Sequence, residues 1–234
     1  MSAVAGPARA ARRGAVATAL PALAVRRLGR VDYRDALVLQ EELVAARRSA
    51  RIPDTLLLLE HPHAITLGSA TDPAHVLIGQ EERTALGIAL HESGRGGDVT
   101  YHGPGQLVGY PVLALEEPRR DLHRYLRDLE GALIDALAGL GVEAERAVGL
   151  TGVWTACGKI AAIGVRVSSG WITSHGFALN VATDLSFFGT IVPCGITDRP
   201  VTSLERELGR AVPMAEVEER VAGALATRFG RRLA

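Results

Sequence analysis

One stretch of sixteen residues, 95–110, constrains the fold of this chain more than any other. It reads RGGDVTYHGPGQLVGY and contains five glycines. Glycines clustered this densely mark places where the backbone turns with positive φ, or where a ligand approaches the main chain closely. We predict a turn at 103–105, after a short β-prone run at Thr100–His102 and before a strand at 107–115. Two interpretations follow: a hairpin with a glycine-rich turn, or a loop that packs against a substrate.

Composition narrows the class of partner. The chain carries 26 basic and 26 acidic residues, whereas nucleic-acid-binding proteins normally show a basic excess. The glycine-rich stretch matches neither GxxxxGK[ST] nor a GxGxxG that opens a helix, which are the usual nucleotide loops. No apolar run approaches the roughly 18 residues of a membrane span. Two cysteines are too few for a disulfide framework, so we expect a cytoplasmic protein without nucleic-acid or membrane partners.

A length of 234 residues fits one domain. Residues 1–24 are rich in alanine, with three arginines and no acidic residue. This composition predicts a disordered N-terminal tail, with an organellar targeting segment as the alternative. We therefore assign residues 25–234 to a single folded domain.

Hydrophobic periodicity predicts a mixture of helices and strands within that domain. Helices are expected at 33–48 with Asp32 as the N-cap, and at 80–86, 122–140, 202–208 and 214–229. Strands are expected at 24–28, 55–59, 64–67, 88–92, 107–115, 153–155, 160–167 and 171–181, the last two as a hairpin. The order lacks the strict alternation of a doubly wound fold. The sequence therefore predicts an α/β domain with a mixed, largely antiparallel sheet flanked by helices.

Two cysteines are candidates for nucleophilic chemistry. Cys194 lies between a proline and a glycine, which place it on a bend, and Cys157 also precedes a glycine. A cysteine in a cytoplasmic protein is more often a small buried hydrophobe than a nucleophile. A free thiol is only a few per cent ionised at neutral pH, so a nucleophilic cysteine needs an activating neighbour.

Lys159 is the only lysine among the 26 basic residues, and the others are arginines. Arginine does not replace lysine where the amine must lose a proton, so a Cys–Lys pair is chemically sensible. His102 and His175, each beside a glycine, are rival partners for the cysteine, or core histidines. His61 and His63 have the spacing of metal ligands, but no third ligand is near in sequence, and we expect no metal.

Four blocks of the sequence resemble the lipoyl(octanoyl) transferases. Residues 95–110 match the family signature RGGxxTxHxxGQxxxY throughout. The match continues, in the right order, through GKIAAIG at 158–164, HGFALN at 175–180 and PCGI at 193–196. The resemblance implies a fold shared with biotin-protein ligases and lipoate-protein ligases.

It also implies roles for individual residues. Cys194 would be the acyl-thioester nucleophile, Lys159 would promote its ionisation and act as acid and base, and Cys157 would be structural. The expected acyl site is lined by Arg95, Gly96, Gly97, Asp98, Val99, Thr100, Tyr101, His102, Ala162, Ile163, Gly164, Gly176, Phe177 and Ala178.

The implied reaction is octanoyl transfer from octanoyl-acyl carrier protein to a lysine of a lipoyl domain, the first committed step of protein lipoylation. The acceptors would be the lipoyl domains of 2-oxoacid dehydrogenase complexes and the glycine cleavage H protein. Because the donor is already activated, no cofactor is expected. The alternatives are an ATP-dependent lipoate or biotin ligase of the same fold, a transferase between lipoyl-bearing proteins, and a non-catalytic module that binds acyl carrier protein.

Overall fold

The computed structural model describes residues 19–195 and 199–234. Its main sheet has seven strands: β1 (Ala22–Arg30), β2 (Asp54–Glu60), β6 (Gln106–Val112), β7 (Val153–Thr155), β8 (Gly158–Ser168), β9 (Ile172–Asn180) and β10 (Arg232–Leu233). The strand order is β10-β1-β2-β6-β9-β8-β7. β1 runs parallel to β10 and β2, and the other neighbours are antiparallel. The predicted mixed, largely antiparallel sheet is confirmed.

Helices cover this sheet on both faces. α1 (Tyr33–Arg48) begins after Asp32, whose carboxylate accepts a hydrogen bond from the Arg34 amide at 2.8 Å. It packs on Leu57 and Leu59 of β2, whereas α3 (Leu122–Ala138) and α5 (Met214–Phe229) pack on the face of Leu56 and Leu58. Successive side chains of a strand point to opposite faces, so a continuous apolar run needs cover on both. Each buried leucine contributes roughly 1.5–3 kcal/mol to stability.

A second sheet stands beside the first and has the order β4-β3-β5. Its strands are β3 (Ala64–Leu67), β4 (Ala89–Glu92) and β5 (Thr100–His102), and the short helix α2 (Gln80–Ala85) precedes β4. β5 and β6 therefore belong to different sheets, and the hairpin interpretation of the glycine-rich stretch is wrong. The turn at 103–105 is confirmed, and it carries the chain from one sheet to the other.

Three boundaries differ from the prediction. β1 begins at Ala22, inside the predicted tail, because residues 22 and 23 pair with β10; residues 1–18 of that tail lie outside the described residues. α3 ends at Ala138 with Gly139 as its C-cap instead of Gly141. β6 ends at Val112, and the chain then bridges to Ile172 through Ala114. In addition, the fourth helix, α4 (Leu204–Leu208), is shorter than predicted. Among residues 19–195 and 199–234, no helix combines the length and apolar character needed to cross a membrane.

Candidate active site

A narrow cavity lies where the two sheets meet. It is lined by most of the residues expected at the acyl site, namely Arg95, Gly97, Asp98, Thr100, His102, Ala162, Ile163, Gly164, Gly176, Phe177 and Ala178. β8 and β9 pair along this wall, with Ala162 opposite Ala178 and Gly164 opposite Gly176. The small residues leave space above the strands, and a Cβ on Gly164 would lie 2.9 Å from the Gly96 carbonyl oxygen.

Three of the expected lining residues do not face this cavity. Val99 and Tyr101 are buried in a separate apolar cluster with Ile65 and Phe188. Alternation along an extended strand is the reason, since Asp98, Thr100 and His102 point to one side and their neighbours to the other. Gly96 also does not line the cavity, and its N–H donates a hydrogen bond to the Val165 carbonyl at 2.9 Å.

The back of the cavity contains residues outside the expected set. Tyr33 from α1, Tyr110 from β6 and His175 from β9 complete its lining. His175 takes a positive φ of 55°, and its N–H donates to Gln40 Oε1 of α1 at 2.7 Å. Tyr110 and His175 lie within the matched blocks, so the motifs themselves carried the signal. Tyr33 is 62 residues from the glycine-rich stretch, and no local pattern indicated it.

Histidines behind this wall are held neutral. Burial lowers the pKa of His61 from its ordinary 6.5 to about 4. Its Nδ1–H donates to the Val31 carbonyl at 2.7 Å, so Nε2 accepts from the Tyr110 hydroxyl at 2.8 Å. Burial, followed by the positive charges of Arg95 and Arg166, lowers the pKa of His175 to about 4. The pKa of His102 also lies well below its usual value, chiefly because of burial. The imidazoles of these three histidines are therefore uncharged at neutral pH.

A chain of hydrogen bonds links the glycine-rich stretch to β8. Arg95 donates to the Thr66 hydroxyl at 2.9 Å, and His102 Nδ1–H donates to Gln106 Oε1 at 2.8 Å. The Gln106 amide donates to Asn180 Oδ1 at 3.0 Å, and the Asn180 amide donates to the Thr202 carbonyl at 3.0 Å. The Thr202 N–H donates to the carbonyl of Lys159 at 3.0 Å. The network is buried, so it fixes the relative positions of both segments.

Lys159 lies at the start of β8 with only 6% of its surface exposed. Its N–H donates to the Pro200 carbonyl at 2.9 Å, and its ammonium lies 5.4 Å from the centre of the Trp154 ring. A Cβ on Gly152 would lie 2.7 Å from Lys159 Cε, and Gly152 has a φ of 128°. The aliphatic stem of Lys159 therefore occupies space that only a glycine leaves open.

Cys194 belongs to a short 3₁₀ turn, Pro193–Gly195, and its side chain lies outside the described part of the structure. The backbone before this turn is fixed. The Val192 N–H donates to the His75 carbonyl at 2.8 Å, and the Leu77 N–H donates to the Thr190 carbonyl at 2.9 Å. His75 Nδ1–H donates a hydrogen bond to Asp98 Oδ2 at 2.5 Å beside Gly195. The turn is thus attached to the glycine-rich stretch.

A smaller cavity joins these parts. Lys159 and Pro193 both line it, together with Phe188 and Val201. It shares Thr100, Ala162 and Ala178 with the first cavity. The residue before Cys194 and the only lysine of the chain therefore face one space, which lies next to the expected acyl site.

Other sequence candidates lie apart from this space. Cys157 is exposed on the turn between β7 and β8, so it does not contribute to the core as a structural cysteine would. His63 Nδ1 contacts the Tyr101 hydroxyl at 2.7 Å, whereas His61 bonds Val31 and Tyr110 instead. Across the described ranges, no group of three or more His, Cys, Asp or Glu side chains is arranged to hold a metal ion.

Comparison with known proteins decides the family. Residues 32–226 match the lipoyl protein ligase A/B catalytic domain. The chain belongs to this family. An octanoyltransferase from Rubrobacter xylanophilus is 58% identical over 202 residues, which cover 86% of this chain and 90% of the relative. An octanoyltransferase from Chloroflexus aggregans is 51% identical, covering 90% of this chain and 96% of the relative. These relatives confirm the prediction of an acyltransferase and support octanoyl transfer in protein lipoylation.

Solved structures show the same fold. A putative lipoate protein ligase from T. acidophilum with bound lipoic acid gives a TM-score of 0.67 at 15% identity, covering 92% of this chain and 88% of that chain. The P. falciparum LipL1 structure in complex with lipoate gives 0.70 at 12% identity, covering 89% and 62%. The lipoate ligase-like fold predicted from the motifs is confirmed.

Proposed function

We propose that this chain transfers an octanoyl group from octanoyl-acyl carrier protein to a lysine of lipoyl domains through a thioester on Cys194. The observation that carries the proposal is the shared cavity of Lys159 and Pro193, which has Thr100, Ala162 and Ala178 in common with the cavity between the sheets. The domain responsible would be the one that the sequence assigns to residues 25–234, extended to Ala22 by β1. The low cysteine content favours a cytoplasmic setting.

The first half-reaction would form the acyl-enzyme. The Cys194 thiolate attacks the carbonyl carbon of the donor thioester, and the carrier's thiolate leaves and takes up a proton. A thioester is exchanged for a thioester, so the step needs neither ATP nor a metal ion. The octanoyl chain would lie along Ala162, Gly164, Gly176 and Ala178, which line the cavity between the sheets.

The second half-reaction would form the amide. The acceptor lysine attacks the octanoyl-Cys194 carbonyl as a neutral amine, and Cys194 leaves as the thiolate. The nitrogen must lose a proton in this step, and Lys159 is the candidate base. Its buried position against Trp154 keeps the amine close to the reacting atoms and away from bulk water.

Intact mass after incubation with octanoyl-acyl carrier protein, without ATP, tests this proposal. We expect one octanoyl adduct on the parent protein and on Cys157→Ser, none on Cys194→Ser, and slow formation on Lys159→Arg. Cys157→Ser is the matched control because its thiol is exposed on a turn outside both cavities.

The competing assignments predict other outcomes. Product that appears only with ATP, with no adduct on any form, would move the chain to the ATP-dependent lipoate ligases. An adduct from an octanoyl-lipoyl domain but not from the carrier thioester would indicate a transferase between lipoyl-bearing proteins. Binding of acyl carrier protein with no product and no effect of Cys194→Ser would indicate a non-catalytic module.

A further inference from the structure

A third cavity continues the space at Lys159 towards the surface. It shares Phe188, Pro193 and Val201 with the cavity of Lys159. Its volume is about 420 Å³, which falls in the range of small-molecule sites. We call it the exit groove and define it by Phe188, Pro193, Arg199, Pro200, Val201 and Arg206.

The lining of the exit groove combines an apolar floor with two cations. Arg199 and Arg206 are both exposed, and no other charged residue lines the groove within the described ranges. Neither guanidinium forms an ion pair with a carboxylate of the described residues. The neighbouring Glu207 is directed elsewhere, since its Oε1 accepts from the Thr155 and Thr202 hydroxyls at 2.9 and 2.6 Å. Among the described residues, the charges at the rim of the groove are therefore positive.

Trp154 connects the groove to the proposed base. The Arg199 guanidinium lies 5.4 Å from the centre of the Trp154 ring, and the Lys159 ammonium lies at the same distance from it. Both distances are within the range of cation–π contact. One indole thus contacts both cations, which brings Arg199 of the exit groove close to the proposed base.

We propose that the exit groove binds the phosphopantetheine-type arm of the acyl donor, with its phosphate between Arg199 and Arg206. This inference rests on the proposed function and names the part of the donor that the enzyme recognises. A guanidinium pairs with phosphate oxygens through parallel N–H···O bonds. An arm without a phosphate cannot form this pair. The methyl and methylene groups of the arm fit the apolar floor formed by Pro193, Pro200 and Val201.

Charge separates the donor from the other substrate. The acceptor enters as a lysine side chain on a protein, and its ammonium would meet two like charges in the exit groove. Like charges in close contact disfavour association. The groove therefore suits the anionic donor arm, and the acceptor lysine approaches Cys194 by another route.

Two small donors that differ only in the phosphate test the inference. Octanoyl-4′-phosphopantetheine and octanoyl-pantetheine are each incubated with the full chain at subsaturating concentration, and the rate of acyl-enzyme formation is followed by intact mass. We expect the parent to react about tenfold faster with the phosphorylated donor, the gain typical of charge-assisted hydrogen bonds. The double variant Arg199→Ala/Arg206→Ala should lose this preference, so that its own rates with the two donors agree within about twofold.

Arg210→Ala is the matched control, because Arg210 is an exposed arginine just beyond α4 that does not line the groove. It should keep the preference. Equal rates of the two donors on the parent, a preference that survives the double substitution, or an equal loss in Arg210→Ala would each overturn the inference. No adduct from either donor on the parent protein would instead overturn the proposed function.

Discussion

At the scale of single residues, the placement of Lys159 depends on a glycine that carries no chemistry of its own. Gly152 has positive φ, and its N–H donates to the buried carboxylate of Glu130 at 3.1 Å. That carboxylate also holds Arg127 and Arg146. The loop before β7 is therefore fixed at the point where the stem of Lys159 passes.

Gly152→Ala should consequently impair acyl transfer. The new methyl group would overlap Lys159 Cε, so the ammonium must move, and the positive φ adds strain of roughly 1–3 kcal/mol. We expect the rate of octanoyl-enzyme formation to fall at least about tenfold, as for other displaced catalytic groups. Intact-mass kinetics measure the rate, and urea denaturation measures stability.

Gly149→Ala is the control for the strain alone. Gly149 has a φ of 78° in the same loop, and a Cβ there would meet nothing within 4 Å. It should lose roughly 1 kcal/mol of stability and keep its rate. Equal rates for both alanine variants would show that Gly152 does not position Lys159.

At the scale of elements, specific side-chain contacts join the ends of the main sheet. Asp54, at the start of β2, is 2% exposed and bonds Arg47 of α1 and Arg231 next to β10, each at 2.7 Å. It also accepts from the Ala114 N–H at 2.9 Å. One carboxylate thus links α1, the chain after β6 and the C-terminal segment.

Asp54→Asn should therefore be strongly destabilising. The amide leaves two partly buried guanidiniums without a negative partner, and breaking a buried pair in this way costs about 3–5 kcal/mol. Asp135→Asn is the matched control, because the ion pair of Asp135 with Arg228 is largely exposed and such pairs contribute about 0–1 kcal/mol. Urea denaturation of both variants checks the difference. Similar losses in the two variants would show that Asp54 does not link these elements.

The sequence predicts the individual elements better than it predicts how they pair. Local signals located every strand of the main sheet except β10, which is two residues long. Most of the cavity lining was implied by the family resemblance of the motifs, whose residues lie on paired strands. The local signals did not show that β5 and β6 diverge, since β5 pairs with β3, which a turn pattern does not encode. Likewise, Tyr33 lines the cavity and Gln40 accepts from the His175 N–H only because α1 packs on β9, and the His75–Asp98 pair forms across 23 residues.

At the scale of the whole molecule, the buried histidines determine how folding responds to acid. His61, His91, His102 and His175 all have a lowered pKa, with burial as the largest cause. The unfolded chain exposes the same imidazoles to water, where each titrates near 6.5. Between these values the unfolded chain binds more protons than the folded one. Stability must then fall as the pH falls, in addition to any effect of the carboxylates.

The contribution of His61 can be isolated by substitution. Above pH 6.5 its imidazole is neutral in both states and adds no pH dependence. As the pH falls from 6.5 to about 4, only the unfolded state becomes protonated, and below about 4 both are. At pH 4.5 this linkage lowers the free energy of unfolding by about 2.5 kcal/mol relative to pH 7.

His61→Gln removes the linkage, together with part of the packing against Tyr33 and Tyr110. The variant should thus be less stable than the parent at pH 7, and the gap should narrow by about that amount at pH 4.5. His123→Gln, at an exposed position of α3, should keep a constant gap. Urea denaturation of the three proteins at both pH values measures these gaps. A His61→Gln gap that is the same at both would mean that His61 is not held neutral by the fold.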